Sequence, residues 1–266
     1  MVVDDVFKLF GRVDGEIILE YFFNLDKISI YLNRNRVLEQ NEEKKILEIY
    51  EKYQDNYPLQ YILGEWNFYG RNFYVEEGVL IPRFETEILV EKILKLNSNI
   101  KDILEIGVGT GIVSLTLALE NINLNIVGVD ISKKAIELAN KNKKRYNIRN
   151  CSFVESDLYS NLDRELKYDL IVSNPPYIDN KDMKKLDRKL DYEPQNALYG
   201  GEDGLYFYKK IIEGSINFLK ENSYIAFEIG YNQAEDISKE LKKYKFTDIK
   251  IYKDYNNFDR CIIARR

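Results

Sequence analysis

The sequence contains no histidine, and this absence restricts its chemistry more than any other. Without an imidazole, histidine-based triads and most zinc sites are excluded, so any mechanism must work without them. The two cysteines, Cys151 and Cys261, lie in apolar or strand-like segments and lack metal-ligand spacing. We therefore expect two reduced core thiols and no metal site.

Long hydrophobic runs and an excess of positive charge are also missing. No segment approaches the roughly 20 apolar residues of a membrane span, and the acidic start of the chain is unlike a secretory signal. The formal net charge of −5 argues against binding nucleic acid by neutralising phosphates. These features predict a cytoplasmic protein with no membrane association and no direct nucleic-acid target.

The 266 residues divide into three stretches of different character. Residues 1–65 carry apolar residues at helical spacing and predict a small helical domain, with Asn41 as the cap of one helix. Aromatic and β-branched residues separated by glycines predict a β-hairpin linker over residues 66–84. In residues 85–266, strands alternate with helices, including a helix from Leu205 to Leu219. This alternation predicts an α/β fold with a mostly parallel sheet covered by helices on both faces.

A glycine-rich segment, Glu105-Ile-Gly-Val-Gly-Thr-Gly111, follows the first strand of this alternation and opens a helix. Glycines there let the backbone approach a ligand closely. A dinucleotide fingerprint would need glycine at position 112, where the chain has Ile112, so binding of NAD is disfavoured. The remaining pattern is typical of S-adenosylmethionine (AdoMet) enzymes. It makes Glu105, Gly107, Val108, Gly109, Thr110 and Gly111 candidate cofactor-binding residues.

Two acidic residues follow the next two strands. Asp130 lies 19 positions after Gly111, where a carboxylate can accept hydrogen bonds from both ribose hydroxyls. The alternative is a helix cap, since Ser132 and a helix follow. Asp157 is placed to accept from the adenine amino group while Leu158 packs on the ring, although a turn-forming aspartate explains position 157 almost equally well.

The segment Ser173-Asn-Pro-Pro-Tyr177 ends a fourth strand, because proline cannot continue a central strand. The side-chain oxygen of Asn174 and the backbone carbonyl of Pro175 provide two acceptors for the two N–H groups of a planar NH₂. Pro176 and Tyr177 would complete the binding surface. Taken alone, the tetrapeptide Asn174-Pro-Pro-Tyr177 is equally compatible with an ordinary turn. The order of the four strand ends favours a site for a methyl donor and an amide or amine substrate.

Most of the chain resembles the bacterial peptide chain release factor N5-glutamine methyltransferases. The resemblance is carried by the following motifs: Pro58-Leu-Gln-Tyr-Ile-Leu-Gly64, Phe68-Tyr-Gly70, Gly78-Val-Leu-Ile-Pro-Arg83, Glu85-Thr-Glu87, Glu105 to Gly111, Asp130, Ser173 to Ile178, Tyr192-Glu-Pro194, Ala197-Leu198, Gly200 to Leu205 and Glu228-Ile-Gly230. The chain departs from the family at Phe84, where a second proline is usual, and at Leu158, where an aromatic residue is frequent.

This resemblance implies an N-terminal helical substrate-recognition domain, a hairpin linker and a Rossmann-like class I methyltransferase domain. It implies transfer of a methyl group from AdoMet to the glutamine of the Gly-Gly-Gln motif in release factors, leaving S-adenosylhomocysteine. Asn174, Pro175 and Tyr177 would be the catalytic residues, and we expect a monomer.

Three alternatives remain open at this point. A methyltransferase acting on an exocyclic amine of adenine or cytosine would use the same acceptors, although the chain has no large basic segment. A methyltransferase acting on a ribosomal-protein glutamine would use them as well, but the Ile81-Pro-Arg-x-Glu-Thr-Glu87 stretch favours release factors. A cofactor-binding module without catalysis is disfavoured by the intact Asn-Pro-Pro-Tyr.

Overall fold

The computed structural model describes residues 1–96, 99–186 and 188–266, without the side chains of residues 188 and 189. The chain forms two compact units, Met1–Gly64 and Glu65–Arg266. No helix in the described part of the chain is long and apolar enough to cross a membrane.

The first unit, described throughout, is helical. Its helices are α1 (Val3–Phe23), α2 (Lys27–Leu32), α3 (Gln40–Gln54) and α4 (Leu59–Leu63). The ring of Phe10 packs edge-on against Tyr50 and Tyr53 of α3, with centroids 5.4 and 5.1 Å apart. The predicted cap at Asn41 is wrong. The helix starts at Gln40, and its N-cap is Glu39, two residues before the predicted cap. Glu42 accepts a hydrogen bond from the backbone N–H of Glu39 at 2.9 Å.

The second unit contains a two-stranded hairpin and, among the described residues, a seven-stranded sheet. Its strands are β1 (Glu65–Phe68), β2 (Arg71–Tyr74), β3 (Asp102–Ile106), β4 (Asn125–Asp130), β5 (Cys151–Glu155), β6 (Tyr168–Ser173), β7 (Leu219–Glu228), β8 (Thr247–Lys253) and β9 (Asp259–Arg265). Its helices are α5 (Thr86–Leu94), α6 (Ile112–Glu120), α7 (Lys133–Arg145), α8 (Asn180–Met183), α9 (Tyr206–Ser215) and α10 (Ala234–Lys243), with 3-10 turns at Arg188–Tyr192 and Gln195–Ala197.

The sheet order is β5-β4-β3-β6-β7-β9-β8. Strands β3 to β7 are parallel, and β9 runs antiparallel to both neighbours. Fully buried residues such as Leu104, Ile171 and Ile225 make the central strands apolar, as expected for a sheet covered on both faces. The strand order reverses at β3, and ligands of open α/β sheets bind at the carboxyl ends beside such a reversal. The predicted Rossmann-like α/β fold is confirmed.

The hairpin of β1 and β2 packs into the second unit. Phe68 and Phe73 are fully buried in its core. The side chain of Asn142 on α7 accepts from the N–H of Tyr74 at 2.7 Å and donates to the carbonyl of Tyr74 at 3.0 Å. Residues 66–84, predicted to be a linker, therefore include strands that belong to the core of the second unit.

One helix boundary differs from its prediction. Helix α9 ends at Ser215, and Leu219, predicted to end this helix, is the first residue of β7. Leu219 is paired with Tyr168 of β6. Gly214, next to the end of α9, and Asn217 are the local signals of the change from helix to strand. Both cysteines are buried free thiols, as predicted.

Candidate active site

A cavity of about 270 Å³ lies at the carboxyl ends of β3, β4, β5 and β6. Its wall combines the glycine loop, three strand ends and two segments from elsewhere in the second unit. The lining residues named here are Val79, Leu80, Gly107, Gly109, Asp130, Ile131, Asp157, Leu158, Asn174, Pro175, Pro176, Pro194, Asn196, Ala197, Phe207 and Ile211. The four strand ends singled out in the sequence thus contribute to one cavity.

The glycine loop turns sharply between β3 and α6. Gly107 and Gly109 have φ of +78° and +55°, a region that side chains rarely adopt, and both line the cavity. Gly111 has φ of +84°, and a Cβ there would lie 3.0 Å from the Cβ of Ala139. The first two glycines therefore shape the cavity wall, whereas Gly111 lets α6 pack closely against α7.

The other predicted loop residues lie behind the cavity wall formed by the described residues. Val108 is buried and packs against Gly128, where a Cβ would approach Val108 to 2.7 Å. Thr110 is buried, and its carbonyl accepts a hydrogen bond from Asn142 at 3.0 Å. Both residues hold the loop in shape from behind.

Glu105 lies beneath the glycine loop. Its carboxylate accepts from the backbone N–H of Ser114 at 3.0 Å and from the Ser114 hydroxyl. Burial raises the pKa of Glu105 to about 8, although the hydrogen bonds from Ser114 oppose the shift. Glu105 thus ties β3 to the first turn of α6.

Asp130 lines the cavity at the end of β4. One carboxylate oxygen accepts from the N–H of Gly109 and the other from the N–H of Ser132, both at 2.8 Å. Burial raises the pKa of Asp130. The helix cap of α7 is Ser132, whose hydroxyl accepts from the N–H of Ala135 at 3.3 Å. Each oxygen of Asp130 keeps further acceptor capacity for a ligand.

Asp157 and Leu158, which follow β5, also line the cavity. Asp157 is exposed, and its carbonyl accepts from the N–H of Ser160 at 3.0 Å, so it also forms a turn. Leu158 has φ of +49°, which is uncommon for a leucine, and its side chain presents an apolar surface where the family frequently has an aromatic ring.

Asn174 follows β6 and lines the cavity together with Pro175 and Pro176. The amide nitrogen of Asn174 donates to the hydroxyl of Thr86 at 3.3 Å. That hydroxyl in turn donates to the carboxylate of Glu228 at 2.6 Å. Thr86 and Glu228 are each 1% exposed. The Asn174 amide therefore lies between the cavity on one side and a buried polar pair on the other.

Tyr177 lies behind this segment. Its hydroxyl donates to Glu228 at 3.5 Å, and Tyr177 lines a neighbouring cavity of about 250 Å³. Its carbonyl accepts from Gln233 at 2.9 Å. Gly200 and Gly204 pack so closely on this segment that a Cβ at either position would lie within 2.7 Å of its backbone. Tyr177 is not among the residues that line the first cavity, and its predicted catalytic role stays a prediction.

Some lining residues were not identified from the sequence. The segments around Val79 and Ala197 both reach the cavity, and Glu193 joins them. Glu193 is buried and accepts from the N–H of Ile81 at 3.0 Å and from Arg83 at 2.6 Å. The acidic residue before Pro194 was the sequence signal for this link, because a carboxylate that becomes buried requires hydrogen-bonding or charged partners.

The cavity suits AdoMet, whose ribose, adenine and amino-acid portion need acceptors, an apolar surface and close backbone approach. Asp130 supplies the acceptors, Leu158 and Ile131 supply apolar surface, and Gly107 and Gly109 leave room for the ligand. Among the described residues, no group of three or more histidine, cysteine or acidic side chains is placed to hold a metal ion.

Family models match two parts of the chain. A model of the methyltransferase small domain matches residues 84–199, which include most of the cavity wall, and a model of the PrmC N-terminal domain matches residues 11–64. Among solved structures, a methyltransferase from Pyrococcus furiosus has a TM-score of 0.58 at 18% identity, covering 85% of this chain and 98% of that chain. The ribosomal protein L11 methylase of Lactobacillus delbrueckii has a TM-score of 0.53 at 18% identity, covering 72% and 84%. These two likenesses support the fold.

Sequence relatives are much closer. The release factor glutamine methyltransferase of Fusobacterium nucleatum is 45% identical over 258 residues, covering 96% of this chain and 73% of the relative. That of Bacillus cereus is 37% identical, covering 94% of this chain and 91% of the relative. Identity of this extent covers both the helical unit and the cavity. The chain therefore belongs to the release factor glutamine methyltransferase family, whose members are AdoMet-dependent methyltransferases.

Proposed function

We propose that this chain transfers a methyl group from AdoMet to the side-chain N5 of the glutamine in the Gly-Gly-Gln motif of peptide chain release factors. The observation that carries the proposal is the position of Asn174. Asn174 lines a cavity suited to AdoMet, and its side-chain nitrogen donates a hydrogen bond to Thr86. Its side-chain oxygen is left as the acceptor for a substrate N–H group.

A carboxamide nitrogen is a weak nucleophile because its lone pair is delocalised into the carbonyl. Bound AdoMet supplies a sulfonium methyl group that is already activated for transfer, so the protein's main task is to orient the substrate. In this proposal the oxygen of Asn174 and the backbone carbonyl of Pro175 accept the two N–H bonds of the glutamine. These acceptors turn the nitrogen lone pair toward the methyl donor.

The same acceptors stabilise the positive charge that develops on nitrogen during transfer. A proton then leaves to solvent, which requires no strong base and agrees with a chain that lacks histidine. Orientation of two bound reactants can contribute about 7–11 kcal/mol to catalysis. Tyr177 would support the Asn-Pro-Pro segment from behind, and Asp130, Asp157 and Leu158 would hold the ribose and adenine.

Substitution of Asn174 tests this assignment. Asn174→Ala should lower kcat on purified release factor by roughly 10²–10³, the scale of losing one oriented polar group. The Kd of AdoMet, measured by calorimetry, should change much less. A variant that methylates release factor at nearly the wild-type rate would refute the role of Asn174.

The substrate class can be tested in one labelling experiment. Radiolabelled AdoMet and the chain are incubated in separate reactions with release factor, with ribosomal proteins or with DNA. Labelled protein is then digested and sequenced by mass spectrometry. Label on the glutamine of Gly-Gly-Gln supports the proposal. Label on a ribosomal protein or on DNA alone would support one of the two alternative substrates instead.

We also propose that the helical unit recognises the protein substrate, that nucleic acid is not a direct target, and that the chain acts as a monomer in the cytoplasm. A Gly-Gly-Gln loop alone offers little surface to recognise. Three apolar side chains of α2, those of Ile28, Tyr31 and Leu32, are at least 70% exposed and share one helix face.

The variant Ile28→Ser/Leu32→Ser should therefore raise the KM for release factor while the Kd of AdoMet is unchanged. Ile122→Ser, at a residue 81% exposed in the second unit, is the matched control and should leave both constants unchanged. An unaltered KM in the α2 variant would refute this surface. Size-exclusion chromatography with light scattering tests the oligomeric state.

A further inference from the structure

We propose that Thr86 and Glu228 are positioning residues for methyl transfer: together they fix which end of the Asn174 amide faces the substrate. The proposal rests on the proposed function of Asn174 and extends it to two residues outside the cavity wall. Thr86 begins α5, Glu228 ends β7, and Asn174 follows β6, so the three residues come from separate parts of the chain.

The need for such a device follows from the symmetry of a primary amide. Rotation of the Asn174 amide by 180° exchanges its oxygen, an acceptor, for its NH₂ group, a donor, with almost no change in shape. With the oxygen toward the cavity, the amide can accept from a substrate NH₂. With the nitrogen toward the cavity, two donors would face each other. Only one of the two orientations is therefore productive.

The hydroxyl of Thr86 selects the productive orientation. A hydroxyl has one proton, and the Thr86 proton is donated to Glu228 across 2.6 Å. Toward Asn174 the Thr86 oxygen then offers only lone pairs, and the Asn174 nitrogen donates to it at 3.3 Å. In the rotated amide, the Asn174 oxygen would face these lone pairs without a proton between them. The buried carboxylate thus fixes the hydroxyl, and the hydroxyl fixes the amide.

Burial makes this selection effective. Because Thr86 and Glu228 are each 1% exposed, bulk water cannot readily replace the lost partner in the rotated state. Glu228 is itself fixed by its surroundings. Its second carboxylate oxygen accepts from the Tyr177 hydroxyl at 3.5 Å, and its backbone carbonyl accepts from the Tyr208 hydroxyl at 2.8 Å.

The decisive experiment compares Thr86→Val with Thr86→Ser. Valine keeps the branched shape and removes the hydroxyl, so kcat should fall roughly 10- to 100-fold, the effect of a misoriented reacting group. The Kd of AdoMet should stay within about twofold of wild type. Serine keeps the hydroxyl and should restore kcat to within about threefold. A Thr86→Val variant with wild-type kcat, or one that loses AdoMet affinity as strongly as kcat, would overturn the proposal.

A double-mutant cycle separates positioning from a general structural effect. In an Asn174→Ala background there is no amide to orient, so adding Thr86→Val should lower kcat no further. If the two losses multiply, Thr86 acts independently of Asn174 and the proposal is wrong.

A measurement on the unmutated side-chain network covers the case in which Thr86→Val does not fold. The side-chain NH₂ resonance of Asn174, assigned by its loss in Asn174→Ala, should exchange with solvent more slowly than those of exposed asparagines such as Asn41. Exchange as fast as that of Asn41 would overturn the proposal. This measurement needs no methyl acceptor. A folded chain with a protected Asn174 amide that leaves release factor unmethylated would therefore refute the substrate assignment and not the positioning.

Discussion

The buried carboxyl of Glu228 should make the stability of the second unit depend on pH, and Glu228→Gln should remove that dependence. Burial raises the pKa of Glu228 from 4.5 to about 7. The hydrogen bonds from Thr86 and Tyr177 and the charge of Arg260 oppose this rise, and the charge of Glu85 adds to it. The net upward shift means that the folded state prefers a protonated Glu228.

The sign and the size of the effect follow from this shift. Between about pH 4.5 and 7 the folded state binds a proton that the unfolded state has released, so the free energy of unfolding falls as pH rises. One pKa unit corresponds to about 1.36 kcal/mol, so a rise from 4.5 to about 7 amounts to about 3 kcal/mol. Above about pH 7 the whole of this contribution to the free energy of unfolding is lost. Glutamine at position 228 cannot ionise, so the Glu228→Gln variant should not show this loss.

The assay is urea denaturation at pH 5 and pH 8, with tryptophan fluorescence as the signal that reports unfolding. The single tryptophan, Trp66, lies in β1 and reports on the second unit. Relative to wild type, Glu228→Gln should gain about 3 kcal/mol between the two pH values. Glu105, with a pKa of about 8, contributes a decline of the same sign to both proteins, so it cancels in the comparison. Parallel stability curves for the two proteins would refute this account of Glu228.

Three further predictions concern catalysis and the binding of AdoMet. A protonated Glu228 can donate its own proton to the Thr86 oxygen and release the Thr86 proton to face Asn174, so kcat should fall at least about twofold as pH drops from 8 to 6. Glu228→Gln does not titrate and should lack this fall in a pH–rate profile. The charged groups around this carboxyl are Glu85 and Arg260, with Tyr177, Tyr208 and Cys261 also nearby. Gly200→Ala would place a Cβ 2.7 Å from the carbonyl oxygen of Pro176 and so displace the Asn-Pro-Pro segment. As a result, kcat should fall while the Kd of AdoMet changes less. Equal changes in the two constants would contradict this. Asp130→Ala should raise the Kd of AdoMet about 10- to 100-fold in calorimetry, since it removes a charged acceptor, and an unchanged Kd would exclude Asp130 from the site.

The fold was predictable because its signals are local. Apolar runs such as Asp102–Ile106 end at glycine or proline, and the helix of residues 133–145 carries its apolar residues at helical spacing. The boundary at Leu219 was missed because a helix was predicted across Gly214 and Asn217, where the chain turns before β7. Asn41 was chosen as a cap by residue type, whereas Glu42 satisfies the backbone of Glu39 from within the helix.

The candidate site was predictable only in part. The glycines, Asp130 and Asn174 stand at strand ends, and parallel strand ends share one edge of a sheet. Thr86 and Glu228 are separated by 142 positions in the sequence, and their hydrogen bond depends on how α5 packs beside β7. No local periodicity contains that information. Similarly, Tyr177 is adjacent to the prolines in sequence, but its hydroxyl contacts Glu228 and its carbonyl contacts Gln233, both more than 50 positions away.

The absence of histidine and the buried polar pair behind Asn174 have a common physical explanation. A reaction that needs no strong base can still be slow if its weak nucleophile is poorly oriented, so the demand on the protein shifts from proton transfer to geometry. An asparagine oxygen meets that demand only if the amide is prevented from rotating. A carboxylate at position 174 would need no such fixing, but it would bring a full negative charge beside the substrate. Asn174 instead remains neutral, while the carboxylate of Glu228 lies one hydroxyl away and 1% exposed. This arrangement separates the charge that sets the orientation from the neutral group that contacts the substrate.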